Sequence, residues 1–144
     1  MKRYQFTTQS KFSIFIISLI LLSGCQTTVP LYNAKNISIS PRLSASNEEI
    51  AEAIWSAARR QGWKTERMGD RKIKAVKHIR SHSITVSINY SKSSFDIFYV
   101  DSNNLKFDGS NIHKNYNIWI HQLEESIQNE IKFRLPEPRR LSGQ

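Results

Sequence analysis

The sequence holds a single cysteine, Cys25, among its 144 residues. No disulfide can close within one chain, and a zinc site built on several cysteines is excluded. Glycine is scarce, at five residues, and no glycine-rich phosphate loop or dinucleotide fingerprint occurs. GxSxG and HExxH are absent too. The four histidines are His78, His82, His113 and His121. His113 and His121, eight apart on one expected helix, are too distant for a two-histidine metal clamp. Acids are few, 12 Asp+Glu against 21 Lys+Arg, for a net charge of +9. No apolar run approaches the roughly 20 residues that cross a bilayer. The chain therefore lacks what a catalyst assembles: a nucleophile with its base, a paired acid and base, or a ligand cluster. We expect no enzyme, no cofactor and no metal site.

What is present begins with Leu22-Ser23-Gly24-Cys25. These residues close an apolar run, Phe12 to Leu22, that follows the basic residues Lys2, Arg3 and Lys11. A charged start, a short apolar stretch and a small-residue site make a secretory signal. With cysteine directly after Gly24, the stretch resembles the lipobox of bacterial lipoproteins. The resemblance implies cleavage before Cys25, a thioether-linked diacylglycerol on its sulfur and an acyl chain on its new amino group. One acyl chain binds a membrane only marginally, whereas two or more hold it. In such lipoproteins an aspartate after the cysteine tends to retain the protein in the inner membrane. Gln26 stands there instead, which implies the outer membrane; the expected location is the cell envelope, lipid-anchored and facing the periplasm.

Residues 1–24 thus read as a lipoprotein signal peptide. Residues 25–45 read as a lipidated N-terminus and flexible tether, because Pro30, Pro41 and many polar residues interrupt any period. Within it Ile37-Ser38-Ile39 forms an extended piece able to add an edge strand. Residues 46–135 read as one α+β domain, and 136–144, with Pro136 and Pro138, as a disordered tail.

Ser46-Asn47-Glu48-Glu49 has capping-box spacing. Ile50, Ala53, Ile54, Ala57 and Ala58 recur at helical spacing up to Gly62. Trp55 falls at the rim of that stripe and is expected at the edge of the core. Trp63 to Met68 is a weak strand. Ile73, Ala75 and Ile79 share one parity. Ile84, Val86, Ile88 and Tyr90 share another, and Phe95, Ile97 and Tyr99 a third. Short turns at Gly69-Asp70 and Ser91-Lys92-Ser93 join them into an antiparallel meander. Asp101 to Asn104 reads as a turn. A second helix is expected from near Lys114 to Phe133. The fold class is α+β: an antiparallel three- to four-stranded sheet with two helices on one face, in the order α-β-β-β-β-α.

Two surfaces are candidates for function. Lys72, Lys74, Val76, His78 and Arg80 share one strand parity, inside a stretch from Arg59 to Arg80 with nine Lys+Arg and two acids. Lys72, Lys74, His78 and Arg80 can hold anionic lipid or lipopolysaccharide head groups. The alternative is a solvated sheet face whose lysines blunt an edge. Asn103, His113, Asn117 and Trp119 can line a small groove for a saccharide or peptide. The alternative is helix capping with the aromatics in the core. The series Gly62-Trp63, Ser81-His82, Asn89-Tyr90, Asp101 to Leu105 and His113-x-Asn115-Tyr116-Asn117-x-Trp119 resembles a group of small bacterial lipoproteins of unassigned activity. That resemblance implies location and domain type, and no mechanism. The expectation is a membrane-anchored, non-catalytic envelope module. Its partners are the membrane, an envelope protein or anionic lipid, with no nucleic acid.

Overall fold

A computed structural model of the chain describes residues 27–40 and 45–135. The expected signal peptide (1–24), Cys25, Gln26, residues 41–44 of the expected tether and the expected tail (136–144) lie outside the described residues. The domain is α+β. Strands β1 (Thr28–Pro30) and β2 (Ala34–Ser38) precede helix α1 (Asn47–Arg60). Then come β3 (Lys64–Arg67), β4 (Lys72–Ile79), β5 (His82–Tyr90), β6 (Ser94–Asn103), β7 (Asn111–His113) and helix α2 (Asn115–Arg134).

Helix α1 starts where its capping box closes. The Ser46 hydroxyl accepts the Glu49 N–H at 3.2 Å, and the Glu49 carboxylate accepts the Ser46 N–H at 2.8 Å. It stops where Gly62 turns left-handed at φ +78° and its N–H reaches back to the Arg59 carbonyl. Ile50, Ala53, Ile54, Ala57 and Ala58 are fully buried along one face. On α2 the buried positions Tyr116, Ile120, Leu123, Ile127 and Ile131 recur at the same period. Both helices join one core with Ile73, Ala75, Ile84, Val86, Ile88, Phe95 and Ile97 of the sheet. Those strand residues all point to a single face, so the helices cover one side only.

The main sheet is antiparallel, in the order β2-β6-β5-β4-β3. It has one strand more than the sequence pattern suggested. The addition comes from the stretch read as a tether, where the Ile37-Ser38-Ile39 piece expected to be able to add an edge strand contributes Ile37 and Ser38 to β2. Ala34 and Ile39 are buried, and β2 pairs with β6 at the sheet edge. Upstream, β1 pairs with β7 in a separate two-stranded ribbon. Residues 28–38 are therefore part of the domain, because their apolar side chains complete the core beside Phe95 and Ile97.

Strand β6 runs through Asp101-Ser102-Asn103, the residues read as a turn. The reason is a bulge. Val86 faces Tyr99 and Thr85 faces Asp101, so Val100 is an extra residue without a partner. The bulge resets the parity, and Asp101 and Asn103 turn to the uncovered face while pairing continues. A second bulge sits in β2 at Asn36, which has φ +55° and donates its N–H to the Asp96 carboxylate at 2.6 Å.

Candidate functional site

The basic stripe is only partly assembled. Lys72, Lys74 and His78 share the uncovered face of β4, opposite Asn89, Ser87 and Ser83 of β5. Lys74 also lies 3.9 Å from the Glu66 carboxylate on β3. Arg80 is not on this face. Strand β4 ends at Ile79, and Arg80 occupies the two-residue turn to His82 with a left-handed φ of +54°. The missing fifth position reflects the hairpin, which reverses the chain before the parity can continue. Lys77, on the covered parity, reaches the helix end instead. Its ammonium donates to the Gln61 carbonyl at 2.7 Å and sits 5.5 Å from the centre of the Trp63 ring. Burial pushes its pKa down.

The proposed groove is spread over separate places. Asn103 faces Ser83, which faces His78, so it neighbours the basic stripe. His113 belongs to β7, not to a helix shared with His121, and its Nδ1 accepts the Asn115 N–H at 3.3 Å. Asn117 is a clip. Its Oδ1 accepts the Tyr32 N–H at 3.0 Å and its Nδ2 donates to the Pro30 carbonyl at 2.9 Å. Trp119 is half-buried against the core. Tyr116 is fully buried, edge-on to Tyr99 at 5.7 Å between ring centres, and burial raises the pKa of its hydroxyl. Among the described residues no His, Cys, Asp and Glu cluster in the manner of a metal site.

Three depressions among the described residues lie elsewhere, around the C-terminal half of α1. One depression of about 410 Å³ is lined by Glu52, Trp55, Ser56, Arg59, Arg60 and Arg134. A second, of about 430 Å³, shares Trp55 and Arg59 and adds Trp63, Lys64 and Thr65. A third, of about 370 Å³, continues from Arg60 across to Gln122, Glu125 and Asn129 of α2. Together they form a band with two indoles and a surplus of cations.

Helical spacing builds this band. Glu52, Trp55, Ser56, Arg59 and Arg60 fall three and four apart, outside the buried stripe of α1. Behind them, Arg60 and Arg134 both donate to the Glu130 carboxylate, which is 4% exposed. Arg134 also bonds the Ser56 hydroxyl at 3.0 Å. The Arg60 hydrogen bond leads in holding the Glu130 carboxyl down at about 2, with Arg134 adding to it. At the other rim, Arg67 forms a two-pronged pair with Glu48 at 3.1 and 2.7 Å, and its guanidinium lies 5.0 Å from the centre of the Trp55 ring. These pairs fix the walls. Arg59 and Lys64 form no ion pair among the described residues; Arg59 lines both depressions beside Trp55, and Lys64 lines the second. The indole N–H groups of Trp55 and Trp63 are buried without an acceptor among the described residues. A buried donor without a partner is costly, and an acceptor there removes the cost.

The sequence marked Trp55 as a core-edge residue. Trp55 does pack against the core, but it also lines both depressions. The signal missed was the helical repeat of Trp55 with Arg59, next to Trp63 and Lys64 just past the glycine stop. Comparison with protein-family models, curated proteins and solved structures finds no match to this chain.

Proposed function

We propose that the chain is a lipid-anchored lipoprotein of the bacterial envelope that works as a non-catalytic binding module for anionic groups. The Leu22-Ser23-Gly24-Cys25 motif after a short apolar run supports an anchor on Cys25. Gln26 in the next position supports the outer membrane. The observation that carries the binding role is the α1 band. Two depressions share Trp55 and Arg59, their cations outnumber their acids, and Arg59 and Lys64 form no ion pair among the described residues.

Indoles supply flat apolar area for a sugar ring, and arginine matches the planar geometry of carboxylate and phosphate. The ligand class that fits is therefore a saccharide or lipid head group bearing phosphate or carboxylate. The uncovered sheet face is the weaker site for such a ligand. Lys74 lies beside Glu66, and Asp96 and Asp101 of β6 share that face.

An amide NMR titration tests this reading, with phosphorylated glucosamine disaccharide and, separately, neutral peptidoglycan fragments. The indole N–H signals of Trp55 and Trp63 should shift with the phosphorylated ligand, while that of Trp119 stays still. The shifts should weaken as salt is raised. Movement centred on Lys72, Lys74 and His78 would transfer the site to the sheet. Shifts with neither ligand would remove small anionic ligands from consideration.

A further inference from the structure

Thr27, two positions after Cys25 in the sequence, is already held by the rest of the domain. The Thr27 carbonyl accepts the Lys114 N–H at 3.0 Å, and its hydroxyl lies 3.5 Å from the Lys106 ammonium. Thr28 is paired with His113 from the next residue on. Two residues of extended chain reach at most about 7 Å. A lipid-bearing Cys25 would therefore hold this end of the domain against the head groups, with no stand-off.

The residues gathered at that end suit such a contact. Lys106 and Lys114 flank Thr27 and are exposed, and the next residue after Lys106, Phe107, is 38% exposed. Ile118, one turn along α2 from Lys114, is 49% exposed. The β4–β5 turn joins them, because the Asn104 amide donates to the Ser81 hydroxyl at 3.1 Å, and this brings exposed Arg80 to the same end. The acids here are Asp101 and Asp108. The Asp108 carboxylate faces its own turn, accepting the Ser110 and Asn111 N–H groups at 2.9 and 2.7 Å and the Asn111 amide at 3.1 Å. Asp101 accepts the Ser102 N–H at 2.8 Å. Basic heads beside apolar side chains are the pattern of a surface lying in the interfacial layer.

We infer that the end formed by Arg80, Lys106, Phe107, Lys114 and Ile118 docks on the anionic phospholipid surface that holds the anchor, which rests on the Cys25 lipidation proposed above. Docking would fix the orientation of the domain. Strand β5 leads away from this end over nine residues, about 30 Å, so Lys92 in the next turn stands far from the lipid. The Arg80 that left the sheet stripe finds its role here.

The test uses the full chain, expressed with its signal, with lipidation of Cys25 read first by mass spectrometry. Because lipidation consumes the native thiol, Ser110→Cys and Lys92→Cys variants take a fluorophore at one position each. Both are placed in vesicles of phosphatidylethanolamine and phosphatidylglycerol that carry a head-group quencher. Quenching should be several-fold stronger at position 110 than at position 92. Lys106→Glu with Lys114→Glu, two exposed sites, should weaken it at 110. Equal quenching at the two positions, or no effect of the charge reversals, would overturn the docking surface and leave the anchor standing. An unlipidated Cys25 would overturn both.

Discussion

Glu130 is the only buried acid among the described residues, and it serves two arginines. Its role is to hold Arg60 and Arg134 side by side at the wall of the α1 band. Glu130→Gln should destabilise the fold by about 1–2 kcal/mol, less than a buried pair would cost because both arginines are about half exposed. The pH dependence has a definite sign. The folded pKa of about 2 lies below the ordinary 4.5. The contribution is thus fully present above pH 4.5 and is lost as pH falls towards 2. Urea unfolding across that window should show the native protein weakening relative to the variant until the two converge. Asn117 is the corresponding residue at the N-terminal segment. Asn117→Ala removes both bonds to residues 30 and 32 and should cost about 1–2 kcal/mol, with faster hydrogen exchange at the Tyr32 amide. An unchanged exchange rate would return Asn117 to the pool of ligand-binding candidates.

At the scale of elements, legibility followed local chemistry. The capping box at Ser46, the glycine stop at Gly62 and the alternation from Ile84 to Tyr90 are each written in consecutive residues, and each forms where the pattern puts it. Ser46→Ala should lower stability by about 1 kcal/mol in a thermal melt, since one side chain satisfies the first-turn donor. What escaped depends on distant partners. Strands β1 and β7 are three residues each and have no period of their own; they exist because each supplies the other's hydrogen bonds. The bulge at Val100 carries β6 through a stretch rich in turn formers, since pairing with β5 outweighs their local preference. The candidate site failed to read for the same reason. Parity placed Lys72, Lys74 and His78 together, but the depressions depend on how α1 meets β3 and α2, which no local pattern encodes.

For the whole molecule the decisive question is where the domain begins. A boundary at residue 46 treats the segment upstream as a tether that at most lends Ile37-Ser38-Ile39 to the sheet edge. The structure puts Ala34 and Ile39 in the core, with Leu31, Tyr32 and Ile37 packed against it. Burying one isoleucine contributes about 1.5–3 kcal/mol. The segment as a whole then supplies on the order of 5 kcal/mol, from a total that is ordinarily about 5–15 kcal/mol. Its removal also strips the edge of β6 and leaves the backbone of Phe95 and Ile97 unpaired. A chain starting at Ala45 should therefore melt well below one starting at Gln26, or lose its dispersed amide spectrum altogether. An unchanged melting temperature would restore the leash. The longer domain also alters how an anchor at Cys25 would act. With a leash of about 20 residues the domain would sample a wide volume. With Thr28 already in a strand, any anchoring force on Cys25 passes directly into the β1–β7 ribbon. Ligands of the α1 band would then be met at one height and one angle, set by the fold.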